Sequence, residues 1–204
     1  MKINNILIDG RPIGHNFTPY IIAEMSANHN GNIGTAKKTI AMAKKMGADA
    51  VKIQTYTPDT LTIKSSKDDF NIKGGLWDGY NLYELYQEAH TPFEWHQELF
   101  EYAEKVGITI FSTAYDETAV DLLEELGNPA YKIASFEAID LPLIKYVALT
   151  NKPIIISTGM ANQEEISEAL QVAQDNGSGE VILLHCVSGY PAPVDQVNLA
   201  TIKD

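Results

Sequence analysis

Short apolar runs alternate along this chain with longer stretches in which apolar residues recur every three or four positions. The runs are Tyr20–Glu24 (YIIAE), Ala50–Gln54 (AVKIQ), Ile108–Ser112 (ITIFS), Ala130–Ala134 (AYKIA), Pro153–Ser157 (PIIIS) and Val181–His185 (VILLH). Runs this short and this apolar predict strands buried on both faces. The spaced stretches cover Thr35–Met46 and residues 92–106, 116–126, 141–149, 162–176 and 195–202. They predict amphipathic helices. In the first of them Ile40, Ala43 and Met46 share one face. Gly47, Gly107, Gly127 and Gly177 stand where helices should stop, and Thr91-Pro92 offers a cap and first-turn pair. Ahead of the first run, Asp9-Gly10 separates Ile6-Leu7-Ile8 from the segment that follows, a strong hairpin signal.

Buried strands alternating with helices mean a parallel sheet. An open doubly wound sheet and a closed barrel both meet that description. A dinucleotide-binding open sheet wants G-x-G-x-x-G after its first strand. Here that strand runs into Glu24-Met-Ser-Ala-Asn-His-Asn-Gly31. Polar residues gather instead at the C-terminal end of every run: Glu24, Lys52 with Gln54, Ser112 with Thr113, Lys132 with Ser135, Ser157 with Thr158, and His185. Barrels build their active sites at that end. The expected fold is therefore α/β, a TIM (β/α)8 barrel of which residues 20–204 hold six βα units, preceded by a β-hairpin in residues 1–19. Thr55 to His90 breaks the rhythm with 36 residues between a strand and its helix. It carries Trp77, Tyr80, Tyr83 and Tyr86, too aromatic for a disordered segment. It is expected to fold over the site and shape a pocket.

Composition narrows the chemistry. The 204 residues are 45% hydrophobic and 21% charged, as in a soluble globular protein. Fifteen basic against 27 acidic residues give a net charge of −12. That argues against non-specific binding to nucleic acid or to anionic membrane, which need a basic footprint. Arg11 is the single arginine, so an anionic substrate must be held by lysines, hydroxyls and backbone amides. Cys186 is the single cysteine, which excludes an internal disulfide and suits a reducing compartment. No run approaches a membrane span, and the first residues lack the apolar core of a signal peptide, so the expected location is cytoplasmic.

Lys52 and Lys132 sit mid-strand among apolar neighbours, and a lysine there is rare unless paired. One such lysine could simply bury its stem and carry its amine to the strand end. Two, each followed by polar residues at the strand end, point to a converging anion site with Thr113, Ser135, Ser157 and Thr158. Glu24 is either part of that site or a structural carboxylate paired with a nearby lysine. Glu137, two residues past Ser135, is either catalytic or an exposed loop residue. His185 and Cys186 are adjacent on a strand and point to opposite faces, so they cannot both ligate one ion. A hydrogen-bonded core histidine is the expectation for His185. His29 reads as a turn residue, and His90 and His96 read as surface residues.

The strings IIAEMSANHNG, GADAVKIQTY, YKIASFEA, IIISTGMA and LLHCVSGYPAP resemble the sialic acid synthase family. LWDGYNLYELYQEAHTPFEWHQELF resembles its pseudaminic acid branch. The resemblance runs from Tyr20 onward. It implies a (β/α)8 barrel with a small C-terminal antifreeze-like domain, working as a swapped homodimer. It implies condensation of phosphoenolpyruvate with an acylated amino sugar of the 6-deoxy-AltdiNAc type, giving a nonulosonic acid and phosphate. The neuraminic and legionaminic acid branches are the near alternatives. Positions matching Lys52, Thr113, Lys132, Ser135 and Ser157 grip phosphoenolpyruvate in this family. Those matching Glu24, Gln54 and Tyr190 hold the sugar, and Glu137 matches a carboxylate near the reacting enol carbon. A divalent metal, Mn2+ or Mg2+, is implied to polarise the sugar aldehyde.

The sequence departs from the family pattern at two places. Ser188 stands where related sequences carry Asn in an HCTN-type motif. The family's metal-binding histidines, in Ser-Asp-His and Glu-x-His-Phe motifs, do not occur before Asp204, and neither do the last two βα units or the antifreeze-like domain. The expectation is therefore no metal ligand within this chain, and either a fragment of a longer polypeptide or a truncated relative. A different class of reading follows from that: a catalytically incomplete binding or assembly partner. With six strands, Val181–Leu184 would be left as an apolar edge.

Overall fold

The computed structural model describes residues 5–203. These fall into two compact units, Tyr20–Ala119, and the residues up to Pro19 together with those from Val120 onward.

In the Tyr20–Ala119 unit three parallel strands pair in sequence order: β3 (Ile22–Glu24), β4 (Ala50–Thr55) and β5 (Thr109–Ala114). Helix α1 (Ile33–Lys45) starts at Asn32, whose side chain accepts a hydrogen bond from the Thr35 amide. It ends as Gly47 turns left-handed (φ 89°) and the Ala48 amide reaches back to the Ala43 carbonyl. Ala36, Ile40 and Ala43 are buried with Val51, Ile53, Leu99 and Ala103 in one core. Met46 is 76% exposed rather than part of that face, because the helix has already reached its cap there. Helix α4 (His96–Val106) follows a 3-10 turn over Phe93–Trp95, so Pro92 opens that turn rather than the helix. His96 is fully buried, a correction to its surface reading. Its Nδ1 lies 3.0 Å from the Pro92 carbonyl and its Nε2 2.8 Å from the Thr55 hydroxyl, itself 2.6 Å from the Ser112 hydroxyl. Every polar atom of the ring thus has a partner, which is what permits the burial.

The long Thr55–His90 connection has structure of its own. It contains α2 (Pro58–Leu61) and a regular helix, α3 (Leu82–Ala89), capped by Asn81. Tyr86 meets Tyr56 edge-on at 6.1 Å, while Trp77 and Tyr80 remain about half exposed at 43% and 45%.

In the other unit β1 (Ile6–Ile8) and β2 (Arg11–Ile13) form the expected antiparallel hairpin. Asp9 and Gly10 both take positive φ (49° and 76°), as the tight turn requires. Three parallel strands again pair in order: β6 (Tyr131–Ile133), β7 (Ile154–Ser157) and β8 (Val181–Leu184). Helices α5 (Glu117–Glu125, which crosses the unit boundary), α6 (Leu141–Ala148) and α7 (Gln163–Asp175) alternate with them. Asn162 and Glu165 close α7 with a reciprocal capping box. Residues 195–202 form two 3-10 turns rather than the helix their spacing suggests. Their apolar residues Leu199 and Ile202 are 64% and 66% exposed, so no apolar face is buried to stabilise an α-helix. Leu183 and Leu184 of β8 are also partly exposed, at 43% and 37%. Among the described residues no helix is long and apolar enough to cross a membrane.

Candidate functional site

The polar ends of the strands form two clusters, one in each unit. In the Tyr20–Ala119 unit the parallel register sets Glu24 beside Lys52 and Gln54 beside Thr113. Lys52 and Gln54 lie two residues apart and share a face, whereas Val51, Ile53 and Thr55 turn to the helices. The Lys52 ammonium is 2.5 Å from Glu24 Oε2 and donates to the Thr113 hydroxyl at 2.8 Å. Glu24 Oε1 accepts from both the amide and the hydroxyl of Ser26, each at 3.1 Å. Ser26 takes a left-handed φ of 47° to present those two donors. Glu24 therefore is paired with a lysine, and its carboxylate is still 41% exposed. Gln54 Nε2 donates to the Tyr115 hydroxyl at 2.8 Å, and the Tyr115 ring meets Tyr56 edge-on at 5.4 Å. Burial and the neighbouring Tyr86 push the Tyr56 hydroxyl up to about 12.

In the other unit Lys132 is 7% exposed. Its ammonium donates to the Ser157 hydroxyl at 2.6 Å and to the Ile133 carbonyl at 2.8 Å. Glu137 lies in the 3-10 turn Phe136–Ile139 that follows β6. Its Oε2 is buried and has no hydrogen-bond partner among the described residues. Burial raises its pKa, with Asp140 adding to the effect and the Lys132 charge opposing it. The Ser135 hydroxyl and the Cys186 thiol are 3.2 Å apart. Cys186 and Ser188 press on Gly159, where an added Cβ would lie 2.6 Å from the thiol sulfur and 2.7 Å from the Ser188 hydroxyl. Ser188 is itself exposed, and Tyr190 stands 81% exposed. His185 Nε2 lies 2.7 Å from the Val197 carbonyl, a hydrogen-bonded histidine as expected.

The residues read from the sequence thus assemble as two groups: Glu24, Lys52 and Thr113, with Gln54 on the same face, and Lys132 with Ser157 and Glu137. Ser135 joins Cys186 instead of a lysine. Tyr115, Ser26 and Gly159 escaped the sequence reading. Tyr115 had a usable signal, since it lies just beyond a strand whose last residues are polar. Among the described residues no group of three or more His, Cys, Asp and Glu could hold a metal ion.

Comparison with known proteins adds sequence and fold relatives. A family model described as the NeuB family matches residues 39–204. The chain is 49% identical over 184 residues to the pseudaminic acid synthase of Helicobacter pylori, covering 90% of this chain and 54% of that protein. It is 42% identical over 186 residues to the N,N'-diacetyllegionaminic acid synthase of Campylobacter jejuni, covering 90% of this chain and 55% of that protein. The crystal structure of an N-acetylneuraminic acid synthetase from Leptospira borgpetersenii, in complex with citrate, superposes with a TM-score of 0.86 at 28% identity. That match covers 98% of this chain and 65% of the other. The chain spans about half the length of the curated relatives it matches.

Proposed function

The chain belongs to the NeuB family, and from that premise we propose that it serves the condensation of phosphoenolpyruvate with an acylated amino sugar to a nonulosonic acid of the pseudaminic type. The observation that carries this reading is Lys132, a cation kept at 7% exposure beside the Ser157 hydroxyl and a backbone carbonyl at the end of a buried strand. An ammonium this little exposed attracts an incoming anion more strongly than one in bulk water. The 49% identity to a pseudaminic acid synthase supports the branch.

In this reading Lys132, Ser135 and Ser157 hold the anionic groups of phosphoenolpyruvate, as do Lys52 and Thr113. Glu24, Gln54 and Tyr190 hold the sugar, and Ser188 takes the contact made by Asn in other branches. The enol carbon C3 of phosphoenolpyruvate attacks the open-chain aldehyde carbon and forms the new C–C bond, the carbonyl π pair moving to the aldehyde oxygen, which takes a proton from solvent to become a hydroxyl. Positive charge develops at C2, water adds there, and phosphate leaves with its bridging oxygen by C–O cleavage. Glu137 takes the proton of that water. Its burial raises the carboxylate's basicity and suits it to this step.

The test is phosphate release from phosphoenolpyruvate by the natural full-length polypeptide, with a panel of diacetamido-trideoxy hexoses and N-acetylmannosamine. Turnover greatest with the pseudaminic precursor is the expected result. Preference for the neuraminic or legionaminic precursor would move the assignment to another branch. Absence of turnover with every sugar would remove the enzymatic reading.

A further inference from the structure

We infer that Tyr115 is a positioning residue for sugar recognition, acting by tethering the amide of Gln54. The inference rests on the synthase reading above and goes beyond it, since it concerns how one sugar-binding side chain is aimed.

A glutamine amide presents a donor end and an acceptor end, and a free one can turn either way to a ligand. Here the donor end is engaged, because Gln54 Nε2 donates to the Tyr115 hydroxyl at 2.8 Å. With Nε2 on that hydroxyl, Oε1 is the end of the amide that would accept from a sugar N–H or O–H. The Tyr115 ring cannot swing freely, because its edge packs on Tyr56 at 5.4 Å and Tyr56 packs on Tyr86 at 6.1 Å. The next residue is pinned as well. Asp116 accepts from the Thr60 hydroxyl at 2.6 Å, from Thr118 at 2.7 Å and from the Ala119 amide at 2.8 Å. The tyrosine stack and the Asp116 latch join β4, α2, α3 and β5 around one amide. A tethered amide loses less entropy on binding than a freely rotating one.

The test is steady-state kinetics on the natural full-length polypeptide carrying Tyr115→Phe, which removes the hydroxyl and keeps the ring that packs on Tyr56. The KM for the amino sugar should rise about five- to tenfold, the size of one neutral hydrogen bond, with kcat and the KM for phosphoenolpyruvate unchanged. In a Gln54→Ala background the same substitution should add nothing. An unchanged sugar KM in Tyr115→Phe overturns the inference while leaving the synthase reading intact. An equal rise in both backgrounds overturns it too, since Tyr115 would then act without Gln54. Absence of turnover in the unsubstituted enzyme with every sugar removes the synthase reading itself, and this inference with it.

Discussion

Lys52 and Lys132 each reach from a strand to a hydroxyl on the next strand, at 2.8 and 2.6 Å. Their electrical surroundings differ. Lys52 is paired with the Glu24 carboxylate at 2.5 Å, in a setting where that carboxylate remains 41% exposed. Lys132 is 7% exposed and donates to a hydroxyl and a carbonyl, with Glu137 raised in pKa close enough to sense its charge. One local plan, a strand lysine beside a hydroxyl, therefore yields two capacities. The Lys52 charge is already partly compensated, so an arriving anion must compete with Glu24. The Lys132 ammonium donates to a hydroxyl and a carbonyl in a more deeply buried setting, where water screens its attraction for an arriving anion less.

The sharpest way to break this contrast is to remove each lysine in turn. Lys132→Ala should abolish measurable phosphoenolpyruvate binding by calorimetry, a loss of at least about 100-fold. Lys52→Ala should weaken it less. Equal losses would mean that Glu24 does not compensate Lys52. Next in size, Glu137→Gln should lower kcat about 100-fold with little change in KM. Because burial raises the Glu137 pKa, the acid limb of the kcat profile should lie above the usual carboxylate range, and the rate should fall as pH drops through it. That limb should vanish in the variant. Third, Glu24→Gln should change stability by under about 1 kcal/mol in chemical denaturation, since the Glu24 side chain is 41% exposed and water screens its charge. Its visible effect should be on the KM for the sugar.

The smallest effect is a difference in pH response. The Tyr20–Ala119 unit buries His29 and His96, and burial lowers the pKa of each below 6.5. Both are then neutral when folded at pH values where the unfolded chain is already protonated. Their contribution is fully present above about 6.5 and is lost as pH falls toward the depressed folded values. Hydrogen exchange at pH 8, 6.5 and 5.5, corrected for intrinsic rates, should show protection falling first in α4 and β4. Uniform loss across both units would contradict that assignment.

Much of the fold was legible in the residues, because strand burial, left-handed glycines and the Asp-Gly turn are local signals. Asp9-Gly10, Gly107 and Gly127 sit at the turn and helix ends they predict. The polar strand ends were legible too, since a lysine among valines and isoleucines stands out. What escaped was set by contacts distant in sequence. His96 looked exposed because its partner Thr55, itself bonded to Ser112, is 41 positions away. Helix α3 was hidden because its stability comes from a cap at Asn81 and a tyrosine packed on Tyr56, within a segment of unusual length. The 195–202 stretch has helical spacing but buries no face, so periodicity overstated it. Lys52 and Glu24 were each singled out, yet their pairing depends on register, which single strands do not reveal.

Strand β4 carries chemistry on one side and the core on the other: Lys52 and Gln54 against Val51, Ile53 and Thr55. The consequence is an intolerance to length. Inserting or deleting a single residue between Ala50 and Thr55 would exchange the two sides wholesale, driving an ammonium and an amide among the aliphatic side chains of α1 and α4. Point substitutions can trade activity against stability at these positions one at a time. A change of chain length cannot, so this strand should accept variety in its letters and none in its count.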